Sequence, residues 1–297
     1  MKILVTGANG FLGQHLVKML LDETSNLIIA TGKGDQRTPF QNTSLEYVSL
    51  DICDGVAVHH LLEMIHPELV IHCAALTQAD ECELNEIPCW NVNVTATRFL
   101  LDASKKIGAR FIFLSTDFVF DGADGPYHED DIPNPVSYYG SSKVAAEKAV
   151  WESGLDAAVV RTCLVYGDTV TGTRSNVVTW VKDNLEQGKP IRVVSDQWRT
   201  PTYVEDLSKG ILLLIDKKAA GTYHISGEDL LSPYEMALAT AAYLNLDASL
   251  IEKVDASTFS QPAKRPARTG FIIDKAKHEL GFTPLSFKEG LGKMFPA

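Results

Sequence analysis

The 297-residue chain is 45% hydrophobic and carries 27 basic against 38 acidic residues, a net charge of −11. That composition supports a large buried core and excludes a disordered chain, and the acidic surplus opposes a nucleic-acid duplex or an anionic membrane as partner. Five cysteines (Cys53, Cys73, Cys82, Cys89 and Cys163) without a C-x-x-C pair read as reduced core thiols rather than a disulfide framework.

The apolar run Ile3-Leu4-Val5 predicts a first strand, and no signal-peptide apolar region is expected there. With no apolar run of about 18 residues anywhere, the expectation is a soluble, cytoplasmic protein. Directly behind the strand comes Thr6-Gly7-Ala8-Asn9-Gly10-Phe11-Leu12-Gly13, and the pattern Phe11-Leu12, Leu16-Val17, Leu20-Leu21 predicts a helix from Phe11 to Leu21. The spacing is G-x-x-G-x-x-G. Gly7 permits a tight turn, Gly10 lets the backbone approach a pyrophosphate at the helix N-terminus, and Gly13 lets the helix pack close to the sheet. The pattern predicts a nucleotide site, against the alternative of an ordinary glycine-rich turn.

Further strand-like runs follow at Leu27-Ala30, Glu46-Ser49, Leu69-His72, Arg110-Leu114 and Ala157-Val160. Helical segments lie between them, at roughly Val56 to Ile65, Pro88 to Lys106 (closed by Gly108) and Ser137 to Trp151. This alternation predicts an α/β fold with a doubly wound, parallel Rossmann-type sheet. Beyond Tyr166-Gly167 the pattern becomes irregular, with helices near Ser175 to Glu186 and Val204 to Ile215 and strands at Ile191-Val194 and Thr222-Ile225. The expected division is a dinucleotide-binding domain over 1–165, returning at about 199–226, and a smaller C-terminal α/β substrate lobe over 166–198 and 227–297. His59-His60, His66 and His72 lack H-E-x-x-H spacing, so no metal is expected.

Tyr139-Gly140-Ser141-Ser142-Lys143 places Tyr and Lys four apart on one helix face, and Ser115-Thr116-Asp117 ends the preceding strand. A phenol titrates near ~10 in water, so proton exchange near neutrality calls for a neighbouring cation. Lys143 supplies one while binding a ribose, and Thr116 hydrogen-bonds the reacting oxygen. The alternative for Tyr139 is an amphipathic surface tyrosine.

These segments, with His72-Cys73-Ala74-Ala75, Asn91-Val92-Asn93, Ser115 through Gly122, Asp196-Gln197 and Pro201-Thr202, resemble the extended short-chain dehydrogenase/reductase family. Within it they are most similar to the dTDP-4-dehydrorhamnose reductases. The resemblance covers nearly the whole chain. It implies Thr116, Tyr139 and Lys143 as the catalytic triad, with Tyr139 and Lys143 also touching cofactor. It implies that Ala74, Ala75 and Thr77 line the cofactor and that Asp51-Ile52 contacts adenine. Asn93, counted among the cofactor-binding positions, supports the site from the long helix. Phe11 and Leu12 belong to the same cofactor set as the glycines.

Where NAD-retaining epimerases of the family end the second strand with an acidic residue, this chain has Thr31-Gly32, followed by Lys33 and Arg37. The missing carboxylate and added cations favour a 2′-phosphate, so NADP(H) is preferred and NAD(H) remains open; two solvated loop charges are the alternative. The 4,6-dehydratases carry a Thr-Asp-Glu run, and here the third position is Phe118, which leaves carbonyl reduction without elimination of water. Candidates for the substrate phosphates are Arg199 and Arg265, at positions where the resemblance implies arginines against the diphosphate, with Asn176 as a further candidate; a solvated basic loop is the alternative.

The resulting expectation is NADPH-dependent reduction of a nucleotide-linked 4-keto sugar, dTDP-4-dehydro-L-rhamnose to dTDP-L-rhamnose. The rivals are an NAD-dependent sugar-nucleotide epimerase and a non-catalytic subunit, since the regulatory subunit of methionine adenosyltransferase resembles these reductases. The partner is a nucleotide sugar, with no nucleic acid or membrane; a homodimer is left open.

Overall fold

The computed structural model describes residues 1–37, 39–40 and 42–296. Seven parallel strands form the central sheet: β1 (Lys2–Thr6), β2 (Leu27–Gly32), β3 (Leu45–Ser49), β4 (Leu69–His72), β5 (Arg110–Thr116), β6 (Ala157–Thr162) and, late in the chain, β10 (Gly221–His224). Their order is β10-β6-β5-β4-β1-β2-β3. The chain departs from β1 to one side and returns to the other side at β4, which opens a crevice above the C-terminal ends of these two strands.

Burial on both faces explains the near-continuous apolar strands. Ile3 and Val5 point into one core with Leu16, Val17 and Leu20 of α1 (Phe11–Glu23) and with Leu207 and Ile211 of α8 (Val204–Asp216). Leu4, between them, points into the other with α2 (Gly55–Ile65), α5 (Ala96–Ile107) and α6 (Tyr138–Ser153). The Asp54 carboxylate caps α2 by accepting from the Val56 and Ala57 amides, and Ser137 caps α6 through the Gly140 amide.

The long helix departs from its expected course. It is preceded by α3 (Ala79–Leu84), starts at α4 (Glu86–Trp90), two residues before Pro88, and passes through a π-helical turn at Asn91–Thr95 before α5. That wide turn is where Asn93 leaves the helix face to meet the loop after β4.

The second lobe holds α7 (Val177–Glu186), which packs on α9 (Pro233–Tyr243), together with the parallel pair β8 (Ile191–Val194) and β11 (Ile251–Val254) and the final α10 (Phe287–Met294). The short pair β7 (Val165–Tyr166) and β9 (Thr202–Tyr203) joins it to the sheet domain. Phe271, Ile273, Leu280 and Phe282, late in the chain, belong to the same core as Ile211 and Ile225. Among the described residues no helix is long and apolar enough to cross a membrane.

Candidate active site

A cavity of about 680 Å³ lies over the crevice. Its floor is built from strand ends: Gly7 to Gly13 after β1, Cys73, Ala75 and Thr77 after β4, Ser115 and Thr116 at the end of β5, and Thr162 at the end of β6. Gly7 has φ +69°, and a Cβ there would stand 2.6 Å from the Ala74 nitrogen. A Cβ on Gly13 would meet the Gly7 carbonyl oxygen. The turn is therefore closed to side chains, and α1, with Gly10 at its N-cap, has no side-chain cap and no acidic residue in its first turn. Its first amides and positive dipole end face the cavity without an internal anion, a cradle that fits a pyrophosphate.

Thr116, Tyr139 and Lys143 converge on the same cavity from two elements, β5 and α6. Lys143 is 2% exposed, and its ammonium donates to the Leu114 carbonyl oxygen at 2.6 Å and lies 4.0 Å from the centre of the Phe113 ring. Burial brings it down to about 8, with the nearby Glu147 carboxylate opposing the drop. It remains mostly charged at neutral pH.

Tyr139 corrects one expectation. Its hydroxyl is pushed above the usual phenol range by burial, against a hydrogen-bond interaction with Thr116 that pulls it down. In the resting site burial is the largest influence on that hydroxyl, and the Lys143 ammonium donates to the Leu114 carbonyl and lies over the Phe113 ring. A neutral phenol is the resting form, which is the state that donates a proton.

Several predicted residues stand away from the cavity wall. Asn93 is fully buried; its amide accepts from the Leu76 nitrogen at 2.8 Å, donates to the Leu76 carbonyl at 3.0 Å and donates to Ser142 Oγ at 2.9 Å. It ties the loop after β4 to α6 and so positions Tyr139 and Lys143. Ala74 and Ile52 do not line the cavity, and Ile52 packs in the second core. Lys33 is 82% exposed and ion-paired with Asp51 at 2.8 Å. Arg37 donates from its guanidinium to the Gly172 carbonyl at 3.2 Å, and its backbone amide bonds Asn9. Asn176 caps α7 and donates to the Gly167 carbonyl at 2.7 Å. Its amide serves the helix.

The two arginines assigned to phosphate reach the cavity with their forks engaged. Arg199 is buried, pairs with Asp117 at 3.2 Å and donates to the carbonyls of Trp198 and Pro266, each at 2.7 Å. Asp117 also accepts from Thr116 at 3.2 Å and from Thr269. Arg199 thus fastens the catalytic strand end to the C-terminal segment, with each of its three guanidinium nitrogens engaged within the protein. Arg265 holds Asp80 through both guanidinium nitrogens, at 2.7 and 3.1 Å.

Sequence reasoning missed the buried group beneath the site. Glu147 receives Arg161 at 2.7 and 3.0 Å and the Ser115 hydroxyl at 2.5 Å. Its place four residues after Lys143 was the available signal.

The family described as RmlD substrate binding domain matches residues 1–297. The chain is similar to methionine adenosyltransferase 2 subunit beta of Bos taurus, 34% identical over 259 residues that cover 85% of this chain and 75% of that protein. It is 33% identical over 294 residues to the probable low-salt glycan biosynthesis reductase Agl14 of Haloferax volcanii, covering 98% and 96% of the two. Among solved structures, the dTDP-4-dehydrorhamnose reductase of Bacillus anthracis in complex with NADP superimposes with a TM-score of 0.84 at 30% identity, covering 99% of this chain and 98% of that one.

Proposed function

The chain belongs to the RmlD substrate binding domain family, and from that premise we propose that it is an NADPH-dependent reductase of a nucleotide-linked 4-keto sugar, acting on dTDP-4-dehydro-L-rhamnose. The observation that carries the reading is the meeting of Thr116, Tyr139 and Lys143 in the cavity that also contains the uncapped glycine turn.

The glycine turn and the first amides of α1 would hold the cofactor's pyrophosphate, and Lys143 its nicotinamide ribose. Bound there, the cofactor supplies a hydride to the sugar's C4. Tyr139 gives its proton to the carbonyl oxygen as that oxygen gains charge, and Thr116 hydrogen-bonds the same oxygen. The tyrosinate left behind is stabilised by the Lys143 ammonium and takes a proton from solvent. Phe118, at the cavity wall beside Tyr139 with ring centres 5.7 Å apart, supplies no acid for dehydration. That supports reduction alone.

The similarity to a methionine adenosyltransferase subunit favours one second reading, a cofactor-binding subunit without turnover. Both are tested by following NADPH oxidation by the purified protein against dTDP- and UDP-linked 4-keto sugars. Turnover with the dTDP-linked 4-keto-rhamnose configuration is expected. NADPH binding without reduction of any sugar in the panel would establish the silent subunit instead.

A further inference from the structure

We propose that Asp80 is a built-in competitor for the substrate's diphosphate, holding Arg265 closed across the cavity until a nucleoside diphosphate displaces it; this rests on the sugar-nucleotide reading above. Both residues line the cavity that contains Tyr139 and Lys143. The Asp80 carboxylate meets the Arg265 guanidinium oxygen for nitrogen, at 2.7 and 3.1 Å, the two-pronged geometry that the fork also offers to phosphate oxygens. One of those oxygens also accepts the Ala263 amide at 3.0 Å, so the carboxylate is fixed from the segment that carries Arg265.

Elsewhere in the cavity the fork of Arg199 is engaged by Asp117 and backbone carbonyls at a buried site. The Arg265–Asp80 pair differs in being accessible, with 21% and 37% of the two side chains exposed. A partly solvated pair is weak enough to exchange, and a diphosphate brings more charge than a single carboxylate. Arg265 holds the Asp80 carboxyl below the usual carboxylate range, so at neutral pH it is the anion that must leave. The same short wall is gripped a second time, since Arg174 of the loop before α7 donates to Gln78. Two basic residues from the C-terminal half therefore clasp residues 78–80 of the sheet domain over the cavity. Capture of the diphosphate by Arg265 releases one of these grips.

The proposal is tested by calorimetric titration of the full-length protein with dTDP. Asp80→Asn keeps an acceptor for the Ala263 amide but removes the charge, and should bind dTDP roughly three- to thirty-fold more tightly than the wild type. NADPH affinity should stay within about twofold, which also reports a folded protein; Asp80→Ser replaces the asparagine variant should that one not fold. In an Arg265→Gln background the Asp80→Asn change should leave dTDP affinity unaltered, because the carboxylate acts through that guanidinium. Equal or weaker dTDP binding by Asp80→Asn, or the same tightening without Arg265, overturns the proposal and leaves the sugar-nucleotide reading standing. A wild type that binds neither dTDP nor UDP overturns that reading and this proposal together.

Discussion

The two walls of the cavity treat their polar groups in opposite ways. On the sheet-domain wall the glycine turn presents amides with no internal anion, and Thr116 and Tyr139 project polar groups into the cavity. On the wall supplied by the C-terminal half, Arg199 and Arg265 arrive with carboxylates already seated on their forks. The first wall is shaped by backbone geometry, with no side-chain cap on α1 and no acidic residue in its first turn. The second is made of long charged side chains, which in an acidic protein find partners before any ligand arrives. On the proposal made above, a diphosphate reaches the Arg265 part of that wall by exchange with Asp80.

That difference predicts where mutation hurts most. Tyr139→Phe removes the proton donor from the prepared wall and should lower kcat by about 10²–10⁴-fold, while NADPH affinity holds within a few-fold. Steady-state kinetics with a cofactor titration checks it, and full activity in the pure variant would sink the mechanism. The pH profile sharpens the same point. Lys143 titrates at about 8 and is charged below that value. Reduction by the wild type should therefore be sustained below pH 8 and fall as the pH rises through it, since the neutral amine no longer stabilises the tyrosinate. A profile flat through pH 9 assigns Lys143 no electrostatic part.

On the opposite wall, Arg199 should behave as a fastener. Arg199→Leu leaves Asp117 buried beside Thr116 with its charge uncompensated, a loss of about 3–5 kcal/mol of stability. Urea unfolding measures this, with dTDP titration alongside. Unchanged stability together with a tenfold weaker dTDP affinity would show that the guanidinium turns to phosphate after all.

The same contrast explains what could be read from the residues alone. The glycine turn, the strand ends and the Tyr139–Lys143 pair are local patterns whose geometry follows from spacing, and the structure brings them to one cavity. The partners of Arg265 and Arg199 lie 185 and 82 positions away in sequence, and only the folded crossover brings them together. Charge type suggested phosphate, and proximity supplied carboxylates. Some local signals were passed over: Ser232-Pro233 with Glu235 forms a capping box that opens α9, and Ser286 with Glu289 does the same for α10. The π turn at Asn91–Thr95 has no comparable signature. It places Asn93 against Leu76 and Ser142, contacts made across the fold.

The smallest effect is expected at the outer edge of the prepared wall, where two cations follow β2. Lys33 stands in solvent against Asp51, and Arg37 against a carbonyl of the loop before α7. Neither is enclosed, so water screens both and a ribose 2′-phosphate gains little from either alone. The double change Lys33→Ala with Arg37→Ala should raise the KM for NADPH by about three- to tenfold and leave NADH nearly untouched, since NADH carries no 2′-phosphate. Comparing KM for the two cofactors in wild type and variant decides it. Equal losses with both would mean that the cations steady the loop rather than read the phosphate. Asp51→Asn pushes the comparison the other way: it frees the Lys33 ammonium from its pair and should shift the preference further toward NADPH. An unchanged preference in that variant would leave Arg37 as the residue that reads the phosphate.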